Sequence, residues 1–132
     1  MKIDHIGIAV KSLAESIKVY EDALGLTVSG YDQVDDQGVR VAMLDIGESR
    51  IELLEPTGPE SPIEKFMTKR GEGIHHIAVA VADIEKSLER LKAAGFRLVD
   101  QTPRRGAHNT RTAFIHPSST HGVLLELVQH GE

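Results

Sequence analysis

Four side chains with the chemistry of metal ligands occur at matching places in two similar halves of the sequence. They are two histidines and two glutamates: His5, Glu52, His76 and Glu126. Imidazole nitrogens and carboxylate oxygens form a mixed donor set that suits Co²⁺, Mn²⁺, Ni²⁺, Fe²⁺ or Zn²⁺ better than Ca²⁺. The chain has no cysteine, so thiolate ligands and disulfides are excluded. The residue types therefore predict one divalent-metal site built from nitrogen and oxygen donors.

Each histidine lies in a strand-like segment, and the two segments resemble each other. Residues 4–10 read Asp-His-Ile-Gly-Ile-Ala-Val, and residues 75–81 read His-His-Ile-Ala-Val-Ala-Val. Strand alternation places His5 and His76 on a face of small residues, with large aliphatic residues on the opposite face. The small residues leave room for a ligand, whereas the bulky face suits packing under a helix. His75 is predicted to face away from His76 and either to pack or to support the metal ligands from outside.

Each glutamate lies in the last strand-like segment of its half. Residues 50–54 read Arg-Ile-Glu-Leu-Leu, and residues 124–128 read Leu-Leu-Glu-Leu-Val. The flanking aliphatic side chains should point into the core, so Glu52 and Glu126 should point away from it, into water or into a cavity. A carboxylate in an apolar cavity is costly unless it is paired or bound to a metal.

The order of helix and strand signals is the same in both halves and predicts two βαβββ units. Ser12 and Asp83 are predicted helix N-caps, and Gly25 and Gly95 are predicted helix stops. Three strand-like segments follow each helix: residues 27–34, 39–45 and 50–54, then 97–100, 111–115 and 123–128. We predict an α+β fold in which two tandem modules form curved mixed sheets around a metal-containing cavity. A single domain, 1–132, would comprise module one (about 1–55), a linker with a short helix (about 56–72) and module two (about 73–130).

Composition and charge narrow the classes of partner. The net charge of −5 argues against non-specific nucleic-acid binding. No apolar run approaches the ~18 residues of a membrane span, and the first residues lack the pattern of a secretory signal. We therefore expect a cytoplasmic protein with no nucleic-acid or membrane partner.

The sequence resembles the vicinal oxygen chelate superfamily and, within it, the methylmalonyl-CoA epimerase family. The resemblance covers nearly the whole chain and rests on these segments: residues 4–10, 51–56, 61–66, 73–78, 105–108, 114–117 and 122–127. The Gly-Ala-His loop at residues 106–108 and the His-His-Ile strand at residues 75–77 are the parts more specific to the epimerase family. The resemblance implies a homodimer that epimerises methylmalonyl-CoA, a coenzyme A thioester, at C2 by two-base proton transfer through an enolate.

The same resemblance implies roles for individual residues. His5, His76 and Glu126 would bind the metal, and Glu52 occupies a fourth ligand position that varies between Gln and Glu in the family. We expect Co²⁺, with Mn²⁺, Ni²⁺, Zn²⁺ or Fe²⁺ as alternatives. Glu126 would also be one acid/base group. The second is normally a glutamate before a Gln-Gly-Val stretch, and the register here points to Asp36. Aspartate is one methylene shorter, and a shift of one residue would nominate Asp35 instead.

Other assignments stay open at this point. Two basic pairs, Lys69-Arg70 and Arg104-Arg105, are candidates to bind coenzyme A phosphates, because guanidinium groups suit phosphate geometry. A glyoxalase I-type lyase acting on a glutathione hemithioacetal has the same His/Glu skeleton and is the main alternative function. A ring-cleaving dioxygenase using His5, His76 and Glu126 is a second alternative. A drug-sequestering protein of the same fold is disfavoured because the chain has five Phe and Tyr residues and no Trp.

Overall fold

The computed structural model describes residues 1–131, which contain eight strands and three α-helices. In chain order the elements are β1 (Lys2–Ala9), α1 (Leu13–Leu24), β2 (Val28–Val34), β3 (Val39–Ile46), β4 (Ser49–Pro56), α2 (Pro62–Arg70), β5 (Gly73–Ala80), α3 (Ile84–Ala93), β6 (Arg104–Arg105), β7 (Thr110–Ile115) and β8 (Leu125–His130). This order confirms the predicted α+β class and the repeated βαβββ unit. None of the helices in these residues is both long and apolar enough to cross a bilayer.

The chain divides into two compact units. The N-terminal unit is His5–His75, and the C-terminal unit combines Met1–Asp4 with the chain from His76 onward. The same strand arrangement occurs in each. In the N-terminal unit β4 pairs in parallel with β1 and antiparallel with β3. In the C-terminal unit β8 pairs in parallel with β5 and antiparallel with β7.

In the N-terminal unit the strand order is β2-β3-β4-β1. β3 and β4 form a hairpin whose two-residue turn contains Gly47 at φ 60°, a backbone conformation that glycine adopts without strain. Helix α1 begins at the Ser12 cap, where the hydroxyl accepts the Glu15 N–H at 3.2 Å, and ends at Gly25 with φ 68°. Its Ile17 is buried with Val10, which directly follows β1, and with three core residues of the sheet: Ala42, Leu44 and Leu53.

In the C-terminal unit the strand order is β5-β8-β7-β6. Asp83 caps α3 by accepting the Lys86 N–H at 3.1 Å, as its position predicted. The helix buries Ile84 and Leu88 against one face of the sheet. That core also contains residues from β7, β8 and the preceding loop: Leu98, Ala113, Ile115 and Leu127. In both units the helix thus covers the face that alternation assigned to large aliphatic residues.

The prediction of a strand at residues 97–100 was wrong. In this segment Leu98 forms an isolated β-bridge with Ile115. Regular pairing with β7 begins only at β6. The Asp100 side chain explains the break, because its Oδ2 accepts the Phe114 N–H at 2.9 Å. A short carboxylate that accepts a backbone N–H takes the place of a strand carbonyl and stops regular pairing.

Candidate metal and acid-base site

In the N-terminal unit, the parallel pairing of β1 and β4 brings His5 and Glu52 together. Gly7 is the register partner of Glu52, and His5 lies two residues before Gly7, so all three share one face. His5 Nδ1 lies 3.3 Å from Glu52 Oε2. The residues are only 5% and 6% exposed. Glu52 therefore points away from the helix-side core, as predicted, but it is buried rather than solvated.

In the C-terminal unit, β5 and β8 bring His76 and Glu126 together in the same way. Ala78 is the register partner of Glu126, and His76 lies two residues before Ala78. His76 Nε2 lies 3.1 Å from Glu126 Oε1, and these residues are 6% and 5% exposed. The two His–Glu pairs therefore occupy equivalent register positions in the two units.

The donor set of each pair fits a divalent transition metal. With metal–ligand bonds of about 2.1 Å, neighbouring ligands of one ion lie roughly 3.0–3.4 Å apart. The nitrogen–oxygen distances of 3.3 and 3.1 Å fall in this interval. A buried carboxylate requires a cation or hydrogen-bond donors to offset its lost hydration. Each pair thus offers two ligands in suitable positions, while the assignment of all four to one ion stays a prediction.

The two pairs differ in the residue that lies across the sheet from the glutamate. Phe114 is opposite Glu126, and its ring packs edge-on against His76 with centroids 5.4 Å apart. The buried Met43 is opposite Glu52. The contact between Phe114 and His76 was not predicted from the sequence. It depends on the register in which β7 pairs with β8, and local sequence patterns do not determine that register. Edge-to-face packing is a favoured arrangement of two rings, so the Phe114 contact favours the observed orientation of the His76 ring.

His75 has a packing role, one of the two roles predicted for it from the sequence. Its ring lies edge-on to the ring of Phe66 on α2, with centroids 4.9 Å apart. The Arg70 guanidinium lies 5.9 Å from the centre of the same Phe66 ring. One of the two adjacent histidines therefore packs against α2, and the other belongs to a His–Glu pair.

Asp36 lies on an exposed 3-10 turn, Asp35–Gln37, between β2 and β3. In the same turn, Asp35 Oδ1 accepts a hydrogen bond from Gln33 Nε2 at 2.7 Å. The Asp35 carboxylate thus has a local partner near the end of β2. The role of Asp36 as a base stays a prediction.

Gly38 docks this turn onto the start of α2. Its φ is 62°, and a Cβ at this position would lie 3.2 Å from Ser61 Cβ. Its carbonyl accepts the Thr57 N–H at 3.0 Å. Ser61 is itself fixed, because its hydroxyl caps α2 by accepting the Ile63 N–H at 3.2 Å. The position of the Asp36 turn therefore depends on a close approach that glycine permits.

Gly38→Ala is expected to destabilise the protein more than Gly47→Ala does. Both substitutions place alanine at a positive φ, which costs about 1–2 kcal/mol. Only Gly38 also has a close neighbour, since nothing lies within 4 Å of a Cβ at Gly47. Urea unfolding of the two variants measures the difference in the free energy of unfolding. Equal losses would mean that the Ser61 contact is easily relaxed.

Asp4 is a further buried carboxylate, and sequence patterns did not single it out. It is 3% exposed, and its Oδ1 contacts His130 Nε2 at the end of β8. His130 is the last residue of β8, and its ring contacts this carboxylate of β1.

The repeated topology and the two buried His–Glu pairs can be compared with those of known proteins. The family model for the glyoxalase/bleomycin resistance protein/dioxygenase superfamily matches residues 4–114. The chain belongs to this superfamily.

Within it, several of the similar proteins are named methylmalonyl-CoA epimerase. The mitochondrial methylmalonyl-CoA epimerase of Dictyostelium discoideum is 40% identical over 96% of this chain and 76% of its own length. The crystal structure of methylmalonyl-CoA epimerase from Mycobacterium tuberculosis has a TM-score of 0.96 and 42% identity, covering 99% of this chain and 89% of that one. A methylmalonyl-CoA epimerase in complex with methylmalonyl-CoA and NH4⁺ has a TM-score of 0.94 and 40% identity, covering 98% and 94%. The chain is therefore a homologue of methylmalonyl-CoA epimerases, which confirms the resemblance.

Proposed function

We propose that this protein epimerises methylmalonyl-CoA at C2, using a divalent metal bound by His5, Glu52, His76 and Glu126. The observation that supports the proposal is the pair of buried His–Glu contacts at equivalent register positions. The choice of substrate is supported by the homologues, since one of them is described in complex with methylmalonyl-CoA. That both pairs bind the same ion is part of the proposal and rests on the family resemblance.

Co²⁺ is the metal we propose first, with Mn²⁺, Ni²⁺, Zn²⁺ and Fe²⁺ as alternatives, because all accept imidazole and carboxylate ligands. When bound, such an ion acts as a Lewis acid that stabilises negative charge developing on the thioester oxygen. The protein contributes two buried His–Glu pairs, in which an imidazole nitrogen lies 3.3 or 3.1 Å from a carboxylate oxygen.

Two carboxylates transfer the proton in the proposed reaction. Glu126 takes the C2 proton from one face of the substrate or returns one to it, and Asp36 does the same at the opposite face. The electrons of the broken C–H bond enter the enolate and return to C2 when it is reprotonated. Because the enolate is planar at C2, reprotonation at the other face inverts the centre. Asp36 is exposed on its turn, so we propose that bound substrate completes the contact between its carboxylate and C2.

Deuterium incorporation is the direct test of this function. The metal-loaded protein is incubated with one epimer of methylmalonyl-CoA in D₂O, and C2 is followed by NMR while optical inversion is measured separately. We expect deuterium at C2 together with conversion to the other epimer, and a parallel sample without protein measures spontaneous exchange. If neither exchange nor inversion exceeds that sample with any of the five metals, the proposal fails. Turnover of a glutathione hemithioacetal would then support the glyoxalase I-type alternative.

We also propose a homodimer as the working form, on family resemblance alone. Sedimentation at micromolar concentration distinguishes it from a 14.4 kDa monomer. A cytoplasmic location stays a prediction from the sequence.

A further inference from the structure

Two consecutive arginines on β6 point to opposite faces of the C-terminal sheet. Arg104 pairs with Thr112, and Arg105 pairs with Arg111, across the antiparallel β6–β7 ladder. Residues directly opposite each other share a face, and successive residues alternate between faces. The two arginines are adjacent in the sequence, but their guanidinium groups therefore lie on different faces of the sheet.

The face of each arginine follows from its partner on β7. Thr112 shares a face with Phe114, which packs on His76 and lies opposite Glu126. Arg111 lies on the other face, where its guanidinium bonds Glu85 of α3 at 2.9 Å. Arg104 is thus on the face of the His76–Glu126 pair, and Arg105 is on the face covered by α3.

A buried carboxylate orients the Arg104 side chain. Asp100 Oδ1 lies 3.3 Å from Arg104 Nη1, while its other oxygen accepts the Phe114 N–H. Asp100 is held on two sides, so it fixes one edge of the guanidinium. A guanidinium has five N–H donors, and the Arg104 side chain is 43% exposed. Donors therefore remain for a ligand that approaches from solvent.

The distance from Glu126 matches a subsite for a remote part of the substrate. Arg104 is opposite Thr112, which is opposite Val128, two residues along β8 from Glu126. Strand spacings of about 4.8 Å and a rise of about 3.4 Å per residue place the Arg104 Cα about 12 Å from the Glu126 Cα. A coenzyme A thioester carries its phosphates at the far end of the pantetheine arm. A cation that binds them belongs at such a distance rather than beside the reacting carbon.

We propose that Arg104, and not Arg105, binds a phosphate of the coenzyme A part of the substrate. The inference rests on the proposed function, because it takes the substrate to be a coenzyme A thioester. The planar guanidinium donates two parallel hydrogen bonds to phosphate oxygens, and Asp100 holds it in position before the substrate arrives.

The test compares Arg104→Ala with Arg105→Ala on two substrates. Methylmalonyl-CoA carries the phosphates, and methylmalonyl-pantetheine lacks them. We expect Arg104→Ala to raise KM for the coenzyme A ester about tenfold or more, with kcat little changed, since a hydrogen bond to a charged group is lost. KM for the pantetheine ester should stay at the wild-type value, and Arg105→Ala should change neither KM.

Two results would overturn the assignment. One is an equal rise in KM for both esters in Arg104→Ala, which would assign Arg104 a structural role through Asp100 and Phe114. The other is a rise for Arg105→Ala as large as that for Arg104→Ala.

If the unaltered protein turns over neither ester, the proposed function fails, and calorimetric titration with coenzyme A tests the subsite independently of turnover. About tenfold weaker coenzyme A binding by Arg104→Ala alone would support it. Equal binding by the unaltered protein and Arg104→Ala, or no binding by the unaltered protein, would overturn it.

Discussion

Alanine in place of His76 is expected to remove most of the bound metal and, with it, the activity. The imidazole is buried and lies 3.1 Å from Glu126, so the substitution removes a strong donor that water replaces poorly in this environment. Changing groups that only support ligands costs 10–100-fold in metal affinity, so loss of the ligand itself should cost more than about 100-fold. Elemental analysis after dialysis measures metal per chain, and a competing chelator gives the affinity.

The adjacent histidine supplies a matched control. His75 packs on Phe66 and belongs to neither proposed ligand pair, so His75→Ala should keep a full equivalent of metal even where it lowers stability. His5→Ala should behave like His76→Ala. Full occupancy in both the His5 and His76 variants would exclude the proposed site, and equal metal loss in the His75 variant would indicate general unfolding.

Asp36→Asn is expected to lower the rate of inversion by about 10²-fold or more while metal binding stays unchanged. Asparagine keeps the shape of the side chain but cannot accept the proton, and removal of a general base commonly costs this much. The turn that carries Asp36 is exposed and lies outside both His–Glu pairs. The measurement is the rate of optical inversion at C2, with metal content determined on the same sample.

Asp35→Asn is the control for the neighbouring carboxylate. The Asp35 carboxylate accepts a hydrogen bond from Gln33 of β2, so we expect Asp35→Asn to have a small effect on inversion. Exchange of the C2 proton from a single face should survive in Asp36→Asn if Glu126 acts on the other face. An Asp36→Asn variant with full inversion would remove Asp36 from the mechanism, and a large loss in Asp35→Asn would assign the second base to Asp35.

The features that sequence predicted well depend on short-range patterns. Alternation along a strand decides the face of His5 and of His76, and the helix caps at Ser12 and Asp83 require only a few neighbouring residues. Repetition strengthened each prediction, because the same residue types recur in the same order of elements. The structure gives these patterns a common basis, since Gly7 and Ala78 lie opposite Glu52 and Glu126 in equivalent ladders.

The features that sequence did not predict depend on which residues lie opposite each other. Phe114 contacts His76 only because β7 pairs with β8 in one particular register. Asp4 and His130 are 126 positions apart, and no local pattern relates them. Asp100 interrupts a strand through a hydrogen bond to Phe114, which its own neighbours in the sequence do not indicate. Cross-strand partners of this kind require the fold to be known.

The parallel strand pairing in each unit also bears on the stage of folding at which its His–Glu contact forms. His5 and Glu52 are 47 positions apart, and His76 and Glu126 are 50 apart. A parallel pair cannot be closed by a tight turn, and in each unit a helix and two strands lie between the two donors in the chain. Closing so long a loop carries an entropic cost that is recovered only when the non-local contacts form. We therefore expect each His–Glu contact to form late as its unit folds, and an incompletely folded chain should not present it.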